Sequence, residues 1–252
     1  MTKCSIEALL EVLGKGDISP VDALRLLNSH LTSDLGFARV DTGRGVTAVL
    51  PEVILAKGKS PEEVVKITDN LVSRTGLAII SRTDEDLSRI LLESFPEGHY
   101  SKRGKVFVTG EYRDIPDCDE GSVAVVSAGT SDLHALEEAF TVLETMKVDT
   151  RRFCDIGVAG VHRLAEVLPS LRECSVCIVF AGMDAALPTV IGGLYRGPVV
   201  AVPTSTGYGT AFGGVTALLS MLNSCSPGIC VLNIDNGLGA AATALRILRG
   251  TE

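Results

Sequence analysis

Short apolar runs and helical stretches alternate regularly through the second half of the chain. Segments rich in apolar, often β-branched residues predict strands at residues 123–126, 154–158, 176–180, 199–202 and 229–234. Helical spacing follows each of them, beginning with residues 133–146. Strands that alternate with helices predict an α/β fold, in which a doubly wound parallel sheet carries helices on both faces.

The first part of the chain predicts a smaller amino-terminal α/β unit. Residues 35–50 alternate, and Asp-Thr-Gly-Arg-Gly at 41–45 predicts a hairpin turn. The polar segment 112–120 carries Pro116, and we place the domain boundary there, between units 1–118 and 119–252. Helices are predicted at 6–13, 21–28, 60–72 and 83–92, and strands at 77–81 and 105–109.

Charge and cysteine content narrow the class of protein. The 31 acidic and 23 basic residues give a net charge of −8, which argues against general affinity for nucleic acid or an anionic membrane. The seven cysteines are scattered, as expected for reduced thiols. The amino end lacks a signal-peptide pattern, and no unbroken apolar run reaches spanning length. We therefore expect a cytoplasmic protein.

One long segment is almost free of charge. Between residues 175 and 245 the charged side chains are Asp184, Arg196 and Asp235. Such a segment cannot form an ordinary solvated surface, so it is either core or covered by other copies of the chain. This pattern predicts a homo-oligomer.

Polar clusters follow the predicted strands, where an open parallel sheet binds its ligands. Residues 127–132 precede a helix and suit an anion, although simple capping by Ser131 or Asp132 is common. Asp155 is either a structural acid or a site residue. The glycine-rich stretch 207–214 does not match a dinucleotide fingerprint, and no His and Cys spacing suits a metal.

Two further residues stand out as candidates for chemistry. Asp184 is an acid at the end of a predicted strand in the uncharged segment, and a buried or half-buried carboxylate there suggests general acid/base work. Cys225 lies in a turn just before the last predicted strand. A reachable thiol is a candidate nucleophile, and the alternative is a cysteine packed as a small hydrophobe.

Several motifs taken together resemble the family of pyridinium-3,5-biscarboxylic acid mononucleotide synthases. They are SAGTSD at 127–132, DIGVAGVHR at 155–163, VFAGMDAALPTVIGGL at 179–194, VPTSTGYG at 202–209, NSCSPGICVLNIDNGLGAA at 223–241, and residues 37–63 near the amino end. That family is related to the carboxylase/mutase of purine synthesis that acts on aminoimidazole ribonucleotide. The resemblance implies a purine-mutase-like doubly wound fold and a tetramer or octamer.

The resemblance also implies a reaction on the way to the nickel-pincer cofactor of lactate racemase. Nicotinic acid adenine dinucleotide is carboxylated on its pyridinium ring by carbon dioxide or bicarbonate, and its phosphoanhydride is hydrolysed to release AMP. Cys225 is then the nucleophile that adds to the ring. Asp184 falls where the family has a glutamate acid/base. The sequence shows no required cofactor and leaves open whether the hydrolysis needs Mg²⁺.

By the same resemblance, the remaining motif residues bind the substrate, with the first loops around its phosphate and ribose. In the amino-terminal unit, Arg44, Glu52 and Lys57 either cover the pyridine end of the ligand or are ordinary solvated charges. The expected substrate-binding residues are Ser127, Gly129, Thr130, Ser131, Asp132, Asp155, Gly157, Gly160, His162, Arg163, Gly182, Met183, Pro203, Ser205 and Gly207.

Two other functions stay open. One is a purine-type carboxylate mutase, which is disfavoured because Ala186 stands where that enzyme has a proton-handling histidine. The other is a nucleotide-binding regulator without turnover, in which Cys225 is only packed. Reactivity of Cys225 separates this regulator from the synthase.

Overall fold

The computed structural model describes residues 3–111 and 121–250. The chain divides into two compact units, Met1–Pro116 and Asp117–Glu252. The boundary predicted between residues 118 and 119 lies outside the described residues. Each unit has its own sheet and its own core.

The amino-terminal unit is built on a mixed four-stranded sheet of order β3-β4-β6-β5. β3 is parallel to β4, and the other neighbours are antiparallel. A separate pair, β1 and β2, is antiparallel. The elements are α1 (Lys3–Gly14), α2 (Pro20–Leu31), β1 (Ser33–Asp34), β2 (Arg39–Val40), α3 (Arg44–Thr47), β3 (Val53–Leu55), α4 (Pro61–Thr75), β4 (Leu77–Ser81), α5 (Glu85–Ser94), β5 (His99–Ser101) and β6 (Val106–Gly110).

The hairpin turn predicted at residues 41–45 is wrong. The chain reverses earlier, between β1 and β2, where Leu35 N donates to Ala38 O at 2.9 Å. Asp34 Oδ1 accepts from Gly36 N at 2.8 Å, and Gly36 takes a φ of 82° that suits glycine. Residues 41–43 instead lead into α3, which begins at Arg44. The pattern also failed to predict β3 and β5, because strands of three residues carry too little alternation.

The carboxyl-terminal unit is a doubly wound α/β fold, as predicted. Its five strands are all parallel, in the order β11-β10-β9-β7-β8. α7, α8 and α9 pack on one face of the sheet, and α6 packs with α10 on the other. The elements are β7 (Ser122–Ser127), α6 (Leu133–Thr145), β8 (Asp149–Phe153), α7 (Val161–Leu171), β9 (Val176–Ala181), α8 (Ala186–Leu194), β10 (Val199–Pro203), α9 (Val215–Leu222), β11 (Ile229–Val231) and α10 (Gly237–Arg249).

The predicted position of one strand is wrong. Residues 154–158 were expected to be a strand, but β8 lies just before them at Asp149–Phe153. Because β8 is the outermost strand on one side of the sheet, it tolerates charged side chains. Arg151 bonds Glu173 at 2.8 Å and Arg152 bonds Glu137 at 3.1 Å. Asp155 therefore lies in the loop after a strand and not within one.

The described helices include none that is both long and apolar enough to cross a membrane.

Candidate functional site

The loops that follow the five parallel strands lie at one edge of the sheet, which we call the carboxyl edge. All the substrate-binding residues predicted above lie in these loops, at the adjoining strand ends or in the first turn of a following helix. The structure thus brings those residues to one edge. Cys225 is the exception, and its position is described below.

Hydrogen bonds tie the carboxyl-edge loops to one another. Asp155 N donates to Ser127 Oγ at 3.1 Å, which joins the loop after β8 to the end of β7. Met183 N donates to Thr206 O at 3.2 Å, which joins the loops after β9 and β10. Thr206 Oγ1 in turn donates to the carbonyl oxygen of Ser131 at 3.1 Å. The loops therefore form one hydrogen-bonded assembly.

A buried carboxylate organises the loop after β7. Asp132 is 3% exposed, and Thr204 Oγ1 donates to its Oδ1 at 2.6 Å. The backbone N–H of Gly129 donates to Oδ2 at 2.8 Å. Both oxygens have a protein partner, so Asp132 holds the shape of the loop.

Two glycines allow the close approach of these loops. A Cβ on Gly182 would lie 2.4 Å from the carbonyl oxygen of Thr206, and one on Gly157 would lie 2.7 Å from the carbonyl oxygen of Ala128. Real Cβ atoms do not come this close to backbone atoms. Gly182 and Gly157 are therefore required by packing.

Backbone strain concentrates at the carboxyl edge. Non-glycine residues with positive φ cost free energy and cluster at functional sites. Among the described residues of this unit, all such residues except Lys147 lie in the loops after β8, β9, β10 and β11. They are Asp155, Met183, Ala185, Phe212 and Asp235, with φ values of 59°, 48°, 51°, 46° and 55°.

Four helices that begin at this edge start without a side-chain cap. The N-cap residues of α6, α7, α8 and α9 make no side-chain capping hydrogen bond, although Asp184 Oδ1 accepts a long hydrogen bond of 3.4 Å from Ala186 N at the start of α8. Asn236 caps α10 through Gly239 N at 2.8 Å. Uncapped helix starts leave backbone N–H groups that bind anions. This arrangement suits a ligand with phosphate groups.

A histidine–aspartate pair lies at the same edge and was missed by the sequence analysis. His134 Nε2 is 2.9 Å from Asp235 Oδ1. The hydrogen bond to Asp235 raises the pKa of His134 above its ordinary value, against the opposing effect of burial. Burial alone would raise the pKa of Asp235, but bonds from His134 and Ser205 outweigh it and lower that pKa to about 2. The signal in the sequence was a histidine two residues after the anion-binding motif.

Arg163, expected to hold a phosphate or carboxylate, forms an ion pair with Asp155. Arg163 Nη1 is 2.5 Å from Asp155 Oδ2, and the two side chains are 37% and 48% exposed. His162 beside it is exposed. The guanidinium is thus oriented by a carboxylate and still open to solvent, so an anion can reach it.

Asp184 is exposed, and the expectation of a buried or half-buried carboxylate is wrong. It lies in the loop between β9 and α8, where its Oδ1 accepts a long hydrogen bond from Ala186 N at 3.4 Å. Ser220 Oγ on α9 donates to its carbonyl oxygen at 2.7 Å, which holds the loop. The carboxylate is therefore available to a ligand, but burial does not argue for its role.

Cys225 is an exposed, free thiol. It lies between α9 and β11, in a loop whose Ser224 Oγ is 2.7 Å from Thr189 Oγ1 of α8. Because this loop precedes β11, it leads to the amino edge of the sheet, whereas the predicted binding loops lie at the carboxyl edge. Within one chain, the topology does not place Cys225 among those loops.

Large apolar side chains are exposed near both Asp184 and Cys225. On α9, Val215, Leu219 and Leu222 recur at helical spacing and are 43%, 59% and 63% exposed. Tyr208 and Phe212 precede that helix and are 82% and 71% exposed. We call these five residues the apolar ridge. A surface of this kind marks an interaction site.

No cluster of three or more His, Cys, Asp or Glu side chains within residues 3–111 and 121–250 is arranged to hold a metal ion. The groups available to a ligand at the carboxyl edge include backbone N–H groups, hydroxyls, His162, Arg163 and Asp184.

Comparison with known families identifies the carboxyl-terminal unit. The sequence model of AIR carboxylase matches residues 122–252, which include every strand of the parallel sheet. The chain belongs to the AIR carboxylase family. Membership places this family member with enzymes of the carboxylase and mutase kind. Residues 32–111 match a second model, described as the LarB/PurE-like N-terminal domain.

Two relatives of this AIR carboxylase family member align over 95% and 50% of the chain. An uncharacterised protein of Methanocaldococcus jannaschii is 38% identical over 249 residues, covering 95% of each chain. The N5-carboxyaminoimidazole ribonucleotide mutase of the same organism is 34% identical over 131 residues, covering 50% of this chain and 78% of the other. A crystal structure of a Treponema denticola PurE2 variant aligns with a TM-score of 0.42 and 21% identity over 50% of this chain and 79% of that one.

Proposed function

We propose that this protein is a pyridinium-3,5-biscarboxylic acid mononucleotide synthase, which carboxylates nicotinic acid adenine dinucleotide and hydrolyses its phosphoanhydride. The observation that carries the proposal is the joining of a LarB/PurE-like amino-terminal domain to an AIR carboxylase domain in one chain. The exposed thiol of Cys225 supports it, because the proposed chemistry needs a reachable nucleophile.

A thiol suits both halves of the carboxylation. The pyridinium ring is electrophilic, so it cannot attack carbon dioxide directly. When a thiolate adds to a ring carbon, a C–S bond forms, the ring nitrogen takes up the electron pair, and another ring carbon becomes enamine-like. That carbon attacks carbon dioxide, loses its proton to a base, and the C–S bond breaks to restore the aromatic ring and the thiolate.

Asp184 is the proposed base for that proton, since it is an exposed carboxylate at the carboxyl edge. Water then attacks the phosphoanhydride and releases AMP. The reaction thus consumes the dinucleotide, carbon dioxide and water, and it yields the dicarboxylated mononucleotide, AMP and protons. The uncapped helix starts and Arg163 are the proposed holders of the phosphate groups.

The proposed mechanism needs Asp184 and Cys225 at one substrate, but within one chain they belong to opposite edges of the sheet. Asp184 belongs to the carboxyl edge, whereas Cys225 lies in the loop that leads to the amino edge. We therefore propose that a second copy of the chain supplies Cys225 to the loops of the first. The apolar ridge beside both loops supports assembly into a tetramer or octamer, because its exposed side chains favour burial.

The deciding experiment incubates the pure protein with nicotinic acid adenine dinucleotide and bicarbonate and follows the products by mass spectrometry. We expect the dicarboxylated mononucleotide and AMP, and repeating the reaction with a chelator tests the need for Mg²⁺. Cys225→Ala should lose about a thousandfold or more of the activity, as removal of a nucleophile does. Cys230→Ala is the matched control, since Cys230 is also exposed and free.

Mixing two inactive variants tests the shared site. If one copy supplies Cys225 and another supplies Asp184, refolded mixtures of Cys225→Ala and Asp184→Asn regain part of the activity. A Cys225→Ala protein that still forms the product would exclude the nucleophile. Mixtures that stay inactive, when each variant alone is folded, would exclude sharing between copies.

A second candidate function is that of the carboxylate mutase of purine synthesis. It is favoured by the 34% identity to the mutase of Methanocaldococcus jannaschii. Ala186 at the start of α8 argues against it, because a histidine is expected there for proton transfer. Conversion of N5-carboxyaminoimidazole ribonucleotide by the pure protein would favour this candidate over the synthase.

A further inference from the structure

The His134–Asp235 pair joins three carboxyl-edge loops. His134 lies in the first turn of α6, and its partner Asp235 lies in the loop after β11, 101 residues away in the sequence. The Nδ1 atom of His134 is 3.0 Å from the carbonyl oxygen of Ser131, in the loop after β7. From the loop after β10, Ser205 N donates to the same Asp235 oxygen at 2.8 Å.

Both ring nitrogens of His134 face acceptors. The carbonyl oxygen of Ser131 only accepts, and an ionised Asp235 only accepts. A neutral imidazole has one N–H and would leave one of these contacts without a proton, whereas an imidazolium satisfies both. The pair is therefore an ion pair, and neither ring nitrogen is left to exchange a proton with a ligand.

One local feature opposes this cation, although the contacts made on folding favour it and raise the pKa of His134. The start of a helix carries the positive end of the macrodipole, which opposes a positive charge in the first turn. Asp235 also holds a left-handed φ of 55°, which costs a non-glycine residue free energy. Two locally unfavourable features kept side by side at a candidate site indicate a functional constraint.

We propose that His134 is a positioning residue, whose imidazolium bridges Ser131 and Asp235 and holds the loops after β7, β10 and β11 in the arrangement that receives the phosphate groups of a nucleotide. The inference rests on the nucleotide substrate proposed above. Besides Asp235, the carboxylate of Asp132 at the start of α6 acts on its charge. Glu138, one turn further along α6, accepts from Leu238 N at 3.2 Å.

The bridge has a defined dependence on pH. Because the pKa of His134 is raised above 6.5 in the folded protein, the bridge is complete below pH 6.5. As the pH rises through the raised pKa, one of the two bonds loses its proton. The contact to Ser131 is then the one released, since the carboxylate of Asp235 keeps its donor.

The test measures the affinity for AMP by calorimetry between about pH 6 and pH 9, through the ordinary range of a histidine. We expect His134→Gln to weaken binding about tenfold at low pH, the effect of losing a charged hydrogen bond. In the wild-type protein we expect the affinity for AMP to fall as the pH rises and the contact to Ser131 is released. This fall should be absent in His134→Gln. His99→Gln, an exposed histidine of the amino-terminal unit, is the matched control and should keep the wild-type profile.

A second variant keeps the inference testable if His134→Gln does not fold. Asp235→Asn removes the charge that favours the imidazolium, so the midpoint of the wild-type pH profile should move to lower pH. An unchanged midpoint, or a folded His134→Gln protein with the wild-type profile, overturns the positioning role and leaves the nucleotide site intact. A wild-type protein that binds neither AMP nor the dinucleotide at any pH overturns the proposed function itself.

Discussion

Helices α4 and α5 of the amino-terminal unit and helices α6 to α9 of the carboxyl-terminal unit begin in different ways. In the amino-terminal unit, Ser60 and Glu63 form a reciprocal capping box at α4, and Asp84 caps α5 through Leu87 N at 2.8 Å. In the carboxyl-terminal unit, α6 to α9 start without such caps, and the polar side chains of their loops bond to neighbouring loops.

Capped helix starts contribute to local stability, whereas uncapped helix starts contribute backbone donors to a binding site. A capped start satisfies some of its backbone donors within its own turn, so it stabilises a helix and leaves fewer donors for a ligand. An uncapped start depends on distant partners and keeps donors available for an anion. Within the carboxyl-terminal unit, most of the strained residues also lie at the carboxyl edge, beside these uncapped starts.

The largest effect on stability is expected from Gly182→Ala. The new Cβ would meet the carbonyl oxygen of Thr206 at 2.4 Å and push apart the loops after β9 and β10. Overpacking of this kind costs about 2–3 kcal/mol, measured by calorimetric or denaturant unfolding. Gly193→Ala in α8 is the control, because its Cβ meets nothing within 4 Å. Equal stability of the two variants would contradict the close packing of the loops.

Thr204→Val tests the buried carboxylate. It removes the hydroxyl that donates to Asp132 Oδ1 at 2.6 Å and leaves that oxygen buried without this donor. We expect a loss of about 2 kcal/mol in unfolding free energy, typical of a lost bond to a charged group. Thr243→Val removes a neutral bond to Gly239 O at 2.9 Å on α10, and it should cost less. If Thr243→Val loses as much unfolding free energy as Thr204→Val, the bond to the buried carboxylate is no stronger than a neutral one.

Ionised Asp235 should contribute to the unfolding free energy, and this contribution should be lost at low pH. Its pKa falls from 3.8 to about 2 on folding, so it stabilises the protein above pH 3.8, and this contribution is lost as the pH falls towards 2. The contribution is on the order of 1–2 kcal/mol. Unfolding measured from pH 2 to pH 7 should show a weaker acid dependence in Asp235→Asn. Asp184→Asn, at an exposed position, serves as the control. If Asp235→Asn loses as much unfolding free energy at low pH as the wild-type protein does, the ion pair does not stabilise the fold.

The smallest effect is expected in the amino-terminal unit. Ser60→Ala removes the hydroxyl that accepts from Glu63 N at 3.3 Å and should cost about 1 kcal/mol of unfolding free energy. Ser60→Asp restores an acceptor and should recover most of the loss. Product formation should stay unchanged in both variants. A large loss of activity in Ser60→Ala would mean that the amino-terminal helix starts also serve the site.

Prediction from the sequence succeeded where the signal was local. Apolar runs such as 176–180 and 199–202 gave strands close to β9 and β10, because central strands are buried on both faces and cannot carry charge. It failed for β8, because this outermost strand carries charged residues that hide the apolar pattern of a strand. It also missed the pair of His134 and Asp235, which lie far apart in the sequence.

The alternation of strands and helices in the carboxyl-terminal unit, its glycine-bearing loops and the turn around Cys225 were determined by the sequence itself, since periodicity and turn chemistry act over a few residues. Only the tertiary structure decided which residues meet. The parallel sheet gathers the loops after its strands at one edge and leads Cys225 towards the other, because the segment before a parallel strand and the segment after it lie at opposite ends.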